Sequence, residues 1–179
     1  MTSDKLWFMI ENNLKRKIKT IPYHPIMNNK TLFITMSPPG GGKNYTAEQL
    51  MPLNHIFSTD DFFMKDGLYQ WEANKIAEAH EWNRNRVETA MQKELTPICA
   101  CNTNITERER RPYKFLAGKY GYDVKILFPS SPWFKKIHPK LRDKTFTDQD
   151  VMEFYVRNSH NVPFDVIKNM MNRWQEDDV

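Results

Sequence analysis

The stretch Thr31-Leu-Phe-Ile-Thr-Met-Ser37-Pro38-Pro39-Gly40-Gly41-Gly42-Lys43-Asn44 constrains this chain more than any other. An apolar run of strand length breaks into prolines and glycines and ends on a lysine. This reads as a phosphate-binding loop of the form G-x-x-x-x-G-K-[ST], in which glycines let backbone N–H groups curl around phosphate oxygens and the lysine supplies a point charge. Gly42 and Lys43 fit that form. Ser37 stands where the first glycine belongs, and Asn44 where a Ser or Thr hydroxyl would reach Mg²⁺. A glycine-rich turn is otherwise only a turn. Here Leu32–Ile34 precedes it as a buried strand and Tyr45–Leu50 follows it as a helix, the setting in which a loop binds an anion.

The chain of 179 residues is long enough for one domain with a real core. A formal charge of +4 favours nucleic acid only slightly, because a small Lys and Arg excess is common on plain surfaces. Leu6-Trp-Phe-Met-Ile10 is too short for a signal-peptide core and no later run approaches a membrane span, so the expected location is cytoplasmic or nuclear, with no membrane partner. Cys99 and Cys101 lie two apart in a predicted strand, too far apart for easy disulfide closure, and are expected to be reduced. Without further ligands nearby they do not suggest structural zinc.

Residues 1–29 read as an appendage, an amphipathic helix with Leu6, Ile10, Leu14 and Ile18 opposite a basic face, expected to pack on the domain of residues 30–179. Ile56-Phe-Ser-Thr-Asp60-Asp61 is a second short strand ending in paired carboxylates. Ligands of parallel sheets bind at the carboxyl ends of strands, so Asp60 is assigned to the cleft and Asp61 to capping or substrate contact. Asp66-Gly67 marks a turn, and Trp71 to Gln92 a long helix. His80 and Asn83 interrupt its apolar stripe of Ile76, Ala79, Val87 and Ala90, with Arg84 and Arg86 close by. His80 and Asn83 either satisfy core hydrogen bonds or, with Arg86, face a substrate. Leu95–Cys101 is a third strand leading to Asn102-Thr103-Asn104, whose polar groups satisfy the turn or contact a substrate. Thr106 and Glu109 have capping-box spacing for a helix ending at Gly121, and Val124–Phe128 is a fourth strand. A basic segment at about 129–147 reads as a lid, and two more helices follow, over about 148–159 and 163–174, with Arg157 at their joint.

The particular residues go further than this order. Ser58-Thr-Asp-Asp-Phe-Phe63, Asp66-Gly67 with Tyr69, Glu78-Ala-His-Glu-Trp-Asn83 with Arg86, Asn102-Thr-Asn104, Pro112-Tyr113, and Arg157-Asn158-x-His160 with Val162 together resemble the kinase-like domain of the Nedd-four-binding protein family, near the polynucleotide 5′-hydroxyl kinases. The resemblance spans roughly residues 31 to 175. It implies an α/β, P-loop NTPase kinase-like fold: a mostly parallel sheet flanked by helices, with ATP and Mg²⁺ as cofactors. It also implies phosphoryl transfer to a hydroxyl, such as a nucleic-acid 5′-OH. Pro39, Gly40, Gly41, Gly42, Lys43, Asn44 and Tyr45 would surround the nucleotide. Lys43 would hold the β- and γ-phosphates, Asp60 would take the proton of the attacking hydroxyl, and Arg157 would act from the lid. Asp61, His80, Asn83, Arg86, Thr103 and Asn104 are candidates for substrate contact.

Three positions depart from the family pattern. Ser37 replaces glycine, Asn44 replaces Ser or Thr, and Cys101 replaces an acidic residue that would help hold hydrated Mg²⁺. Asn44 offers only a weak amide ligand, and a thiol is a poor one for a hard cation. Two readings follow: a kinase of low activity, or a degenerate module that binds nucleotide, nucleic acid or a protein partner. If Ser37 required positive φ, strain would appear there.

Overall fold

A computed structural model describes residues 30–177 of the chain, so the helix expected within residues 1–29 lies outside the described residues. Four strands, β1 (Thr31–Thr35), β2 (Ile56–Phe57), β5 (Ile98–Ala100) and β6 (Asp123–Leu127), form one sheet in the order β2-β5-β1-β6. All three pairings are parallel. Parallel neighbours need crossovers, and helices supply them. These are α1 (Lys43–Glu48), α2 (Ile76–Gln92) and α3 (Glu107–Tyr120). The chain is thus α/β, a parallel sheet flanked by helices, as the sequence predicts.

Alternation along β1 covers both faces. Leu32 and Ile34 join Val87, Met91, Tyr113 and Ala117 beneath α2 and α3, whereas Phe33 packs on the other face with Ala47, Met51 and Cys99 beside α1. The third strand is shorter than predicted and begins after Pro97, which has no N–H for a neighbouring strand. The long helix also starts later than predicted, at Ile76, after a 3₁₀ turn over Ala73–Lys75. Ile76 is exposed, while Ala79, Asn83, Val87 and Ala90 are buried as their spacing requires.

The predicted Asp66-Gly67 turn joins a hairpin of β3 (Met64–Lys65) and β4 (Leu68–Tyr69). Both turn residues have positive φ, the geometry of a tight two-residue hairpin loop. Thr106 and Glu109 make the predicted reciprocal cap of α3. Thr106→Ala is expected to lower stability by about 1 kcal/mol, read as a shifted urea midpoint with an unchanged slope.

The basic segment is helical over α4 (Pro132–Asp143), with Ser131 accepting a bond from the Phe134 N–H. Phe134, Ile137 and Leu141 are buried against α5 (Asp148–Tyr155) and α6 (Phe164–Asn172), in a second core that includes Met36, Phe154 and Trp174. Lys140 pairs with Asp150, Arg142 with Asp143, and Lys144 bonds the Trp174 carbonyl. Among the described residues, no helix is long and apolar enough to cross a membrane.

Candidate functional site

The loop leaves the carboxyl end of the central strand β1. Pairing continues past the strand on both sides, since Met36 N–H donates to the Leu127 carbonyl and Ser37 N–H to that of Thr103, each at 3.0 Å. The chain then turns away at Pro38, whose carbonyl accepts from Gly41 N–H at 3.2 Å. Gly40 and Gly42 have φ of 81° and 89°, a region open to glycine at little cost. Ser37 is not among the positive-φ residues, so the condition for strain there is not met. Instead its buried hydroxyl bonds the Pro38 carbonyl at 2.9 Å and occupies the space that a Cβ on Gly41 would need, only 1.7 Å away. A serine in the first position is thus accommodated by a glycine in the fifth. Lys43 is half-buried, and Asn44 and Tyr45 are exposed.

Asp60 sits at the end of β2, in a 3₁₀ turn over Thr59–Phe63 that is capped by Ser58 rather than by either carboxylate. A serine hydroxyl before the turn can accept the Asp60 N–H, which leaves both acids for other contacts. Asp60 Oδ1 accepts from the Tyr69 hydroxyl at 3.2 Å, and its Oδ2 lies 3.5 Å from His160 Nε2. The Tyr69 and His160 rings are 4.3 Å apart. Burial, then the Asp60 charge, pushes the Tyr69 pKa far up, so its hydroxyl remains a donor throughout the physiological range. Asp61 turns the other way and pairs with Arg86 at 2.8 Å. The Arg86 guanidinium lies over Trp82 at 4.3 Å and near Phe57. A cleft of about 250 Å³ separates this pair from the loop, lined by Asn44, Ser58, Asp61, Arg86, Cys101 and the exposed Leu53 among others.

The remaining predicted residues divide between this surface and its frame. His80 Nδ1 is 3.3 Å from the Thr59 hydroxyl, and burial, then the Arg84 charge, holds its pKa down, favouring neutral imidazole. Asn83 is wholly buried, bonding the Phe57 carbonyl and the Tyr113 hydroxyl. Asn104 is also buried and bonds the Thr35 and Ala100 carbonyls, tying two strand ends together. Thr103 meets the loop through its carbonyl. Arg157 pairs with Glu153 and lies 4.4 Å over Trp133. Its joint nevertheless touches the loop, because a Cβ on Gly40 would lie 2.1 Å from the Phe154 carbonyl oxygen.

The sequence did not reveal two contacts. His160, in the Arg157-Asn158-x-His160 stretch, reaches Asp60. Cys101 Sγ donates to Asn44 Oδ1 at 3.3 Å, closing the gap between strand end and loop. Cys99 and Cys101 are free thiols. A hydrogen bond from Cys99 lowers the Cys101 pKa against burial, with the Lys43 charge adding to the lowering and that of Asp60 opposing it.

A nucleotide and its cation make different demands on this geometry. The curled glycines and Lys43 suit a phosphate chain. The cation's usual ligands do not follow: a thiol and an amide oxygen already engaged by it stand where a hydroxyl and a carboxylate would. Among the described residues, no group of three His, Cys, Asp or Glu side chains is arranged to hold a metal.

The chain is 31% identical to NEDD4-binding protein 2 of Homo sapiens over 180 residues, covering 96% of this chain and 9% of that protein. It is a distant homologue of that segment. The relationship supports the Nedd-four-binding protein family that the motifs resemble, and does not bear on its kinase-like domain. The human protein is named for binding NEDD4, a property of a protein of which this chain spans less than a tenth. No protein-family model matches the chain.

Proposed function

We propose that the chain binds the phosphate chain of ATP at residues 37–45 and belongs, by activity, with the polynucleotide-kinase-like proteins, with slow phosphoryl transfer to a hydroxyl such as a nucleic-acid 5′-OH. The observation that carries this reading is a positive-φ glycine loop that leaves a central parallel strand and enters a helix at Lys43, with Asp60 at a nearby strand end. Lys43 contributes the charge at the phosphates. Asp60, held between Tyr69 and His160, is the acceptor for the proton of an attacking hydroxyl. Mg²⁺ ordinarily neutralises charge developing on the transferred group in such sites. The Cys101–Asn44 contact favours the second reading, a degenerate module that binds without turnover.

Calorimetric titration with ATP, alongside transfer of labelled γ-phosphate to a 5′-hydroxyl oligonucleotide, tests both. ATP should bind, Lys43→Ala should weaken it by about 1.4 kcal/mol or more, and any transfer should vanish in Asp60→Asn. Equal binding by wild type and Lys43→Ala would overturn the nucleotide reading. Binding without transfer would select the module.

A further inference from the structure

Asn44 follows the loop lysine, the position from which such loops reach the cation with a hydroxyl. Its Oδ1 accepts the Cys101 thiol at 3.3 Å, which sets the oxygen toward the strand end. The Nδ2 group is then the end left free, with no partner among the described residues. An amide N–H₂ cannot ligate a cation but donates two hydrogen bonds. The strand end opposite presents Cys101 Sγ, a soft atom that suits Mg²⁺ poorly in either protonation state. The nearby acids are engaged elsewhere: Asp60 with Tyr69 and His160, and Asp61 with Arg86.

We infer that this site takes a nucleoside triphosphate without a divalent cation, with the Asn44 amide donating directly to a phosphate oxygen where a metal ion would otherwise bridge. The inference rests on the nucleotide reading above and specifies the ionic form bound: the free polyphosphate, not its metal complex. Cys101 is the positioning residue, because its bond to Oδ1 turns the donor end of the amide outward.

The test is titration of ATP into the full chain, in EDTA and then in excess Mg²⁺, Mn²⁺ or Cd²⁺, with Asn44→Asp measured in parallel. Asn44 is exposed, so this near-isosteric change spares the core. Wild type should bind ATP in EDTA, and no cation should tighten it by more than about twofold. Asn44→Asp, which puts a carboxylate against the phosphates, should weaken binding in EDTA by about tenfold or more and regain it with Mg²⁺. Tightening of wild type by about tenfold with any of the three cations would overturn the inference while leaving nucleotide binding intact. So would unchanged affinity of Asn44→Asp in EDTA. Absence of ATP binding under every condition would remove the nucleotide reading and the inference together.

Discussion

Arg110→Ala is expected to lower stability by about 3–5 kcal/mol, from two buried carbonyls losing their donor and from the cavity left behind. Arg110 is completely buried on α3, yet it is an arginine. Its Nη1 donates to the Asn104 carbonyl at 2.8 Å, and its Nη2 to the Gln175 carbonyl at 2.6 Å and to Asp177 at 2.9 Å. These bonds join the end of β5 to the segment after α6, directly beneath the loop strand, with Met36 Sδ at 3.5 Å. Truncation leaves the Asn104 and Gln175 carbonyls without that donor. Asp177 still has Lys114 at 2.7 Å, so the loss falls on the carbonyls and the emptied volume rather than on a stranded carboxylate. Arg110→Met fills most of the volume and should recover roughly half of the loss. Urea unfolding of both variants checks this, and a cost for Arg110→Ala of under about 1 kcal/mol would show that the bonds are not maintained in solution.

This residue also marks where the sequence stops being legible. Local chemistry was readable: the strand before the glycines, the Thr106 and Glu109 cap, the Asp66-Gly67 turn and the apolar stripe of α2 all depend on residues a few positions apart. Arg110 sits in a run of charged residues, Glu107 to Arg111, whose pattern suggests a solvated face. Its burial follows from contacts 65 and 67 residues away, with Gln175 and Asp177. The Cys101–Asn44 bond spans 57 residues and joins two residue types that ordinarily do not signal each other. For Asn83 and Asn104 the sequence leaves two alternatives each, and burial separates them: both side chains are bonded within the frame. His160 was visible only as a motif letter. Its contact with Asp60 depends on where the joint between α5 and α6 sits, 100 residues further along the chain.

That joint makes Gly40→Ala the more consequential change at the loop. Gly40 and Gly42 have nearly the same φ, so alanine meets similar backbone strain at each, about 1 kcal/mol. Their surroundings differ. A Cβ on Gly42 meets nothing within 4 Å, whereas on Gly40 it would lie 2.1 Å from the Phe154 carbonyl oxygen and 2.9 Å from the Asn158 nitrogen. Both of those atoms are backbone, so no side chain can rotate to make room, and either the loop or the end of α5 must shift. The expected costs are about 1 kcal/mol for Gly42→Ala and about 3 kcal/mol or more for Gly40→Ala. The shift should also loosen the joint, where the Asn158 side chain accepts the Val162 N–H at 2.8 Å and precedes His160. Faster amide exchange at Val162 in Gly40→Ala, but not in Gly42→Ala, is therefore expected. Equal unfolding midpoints for the two variants would mean that the loop and the joint are not in contact in solution. Contact between them would make the glycine at position 40 the element that holds the joint, and with it His160 beside Asp60, against the glycine loop.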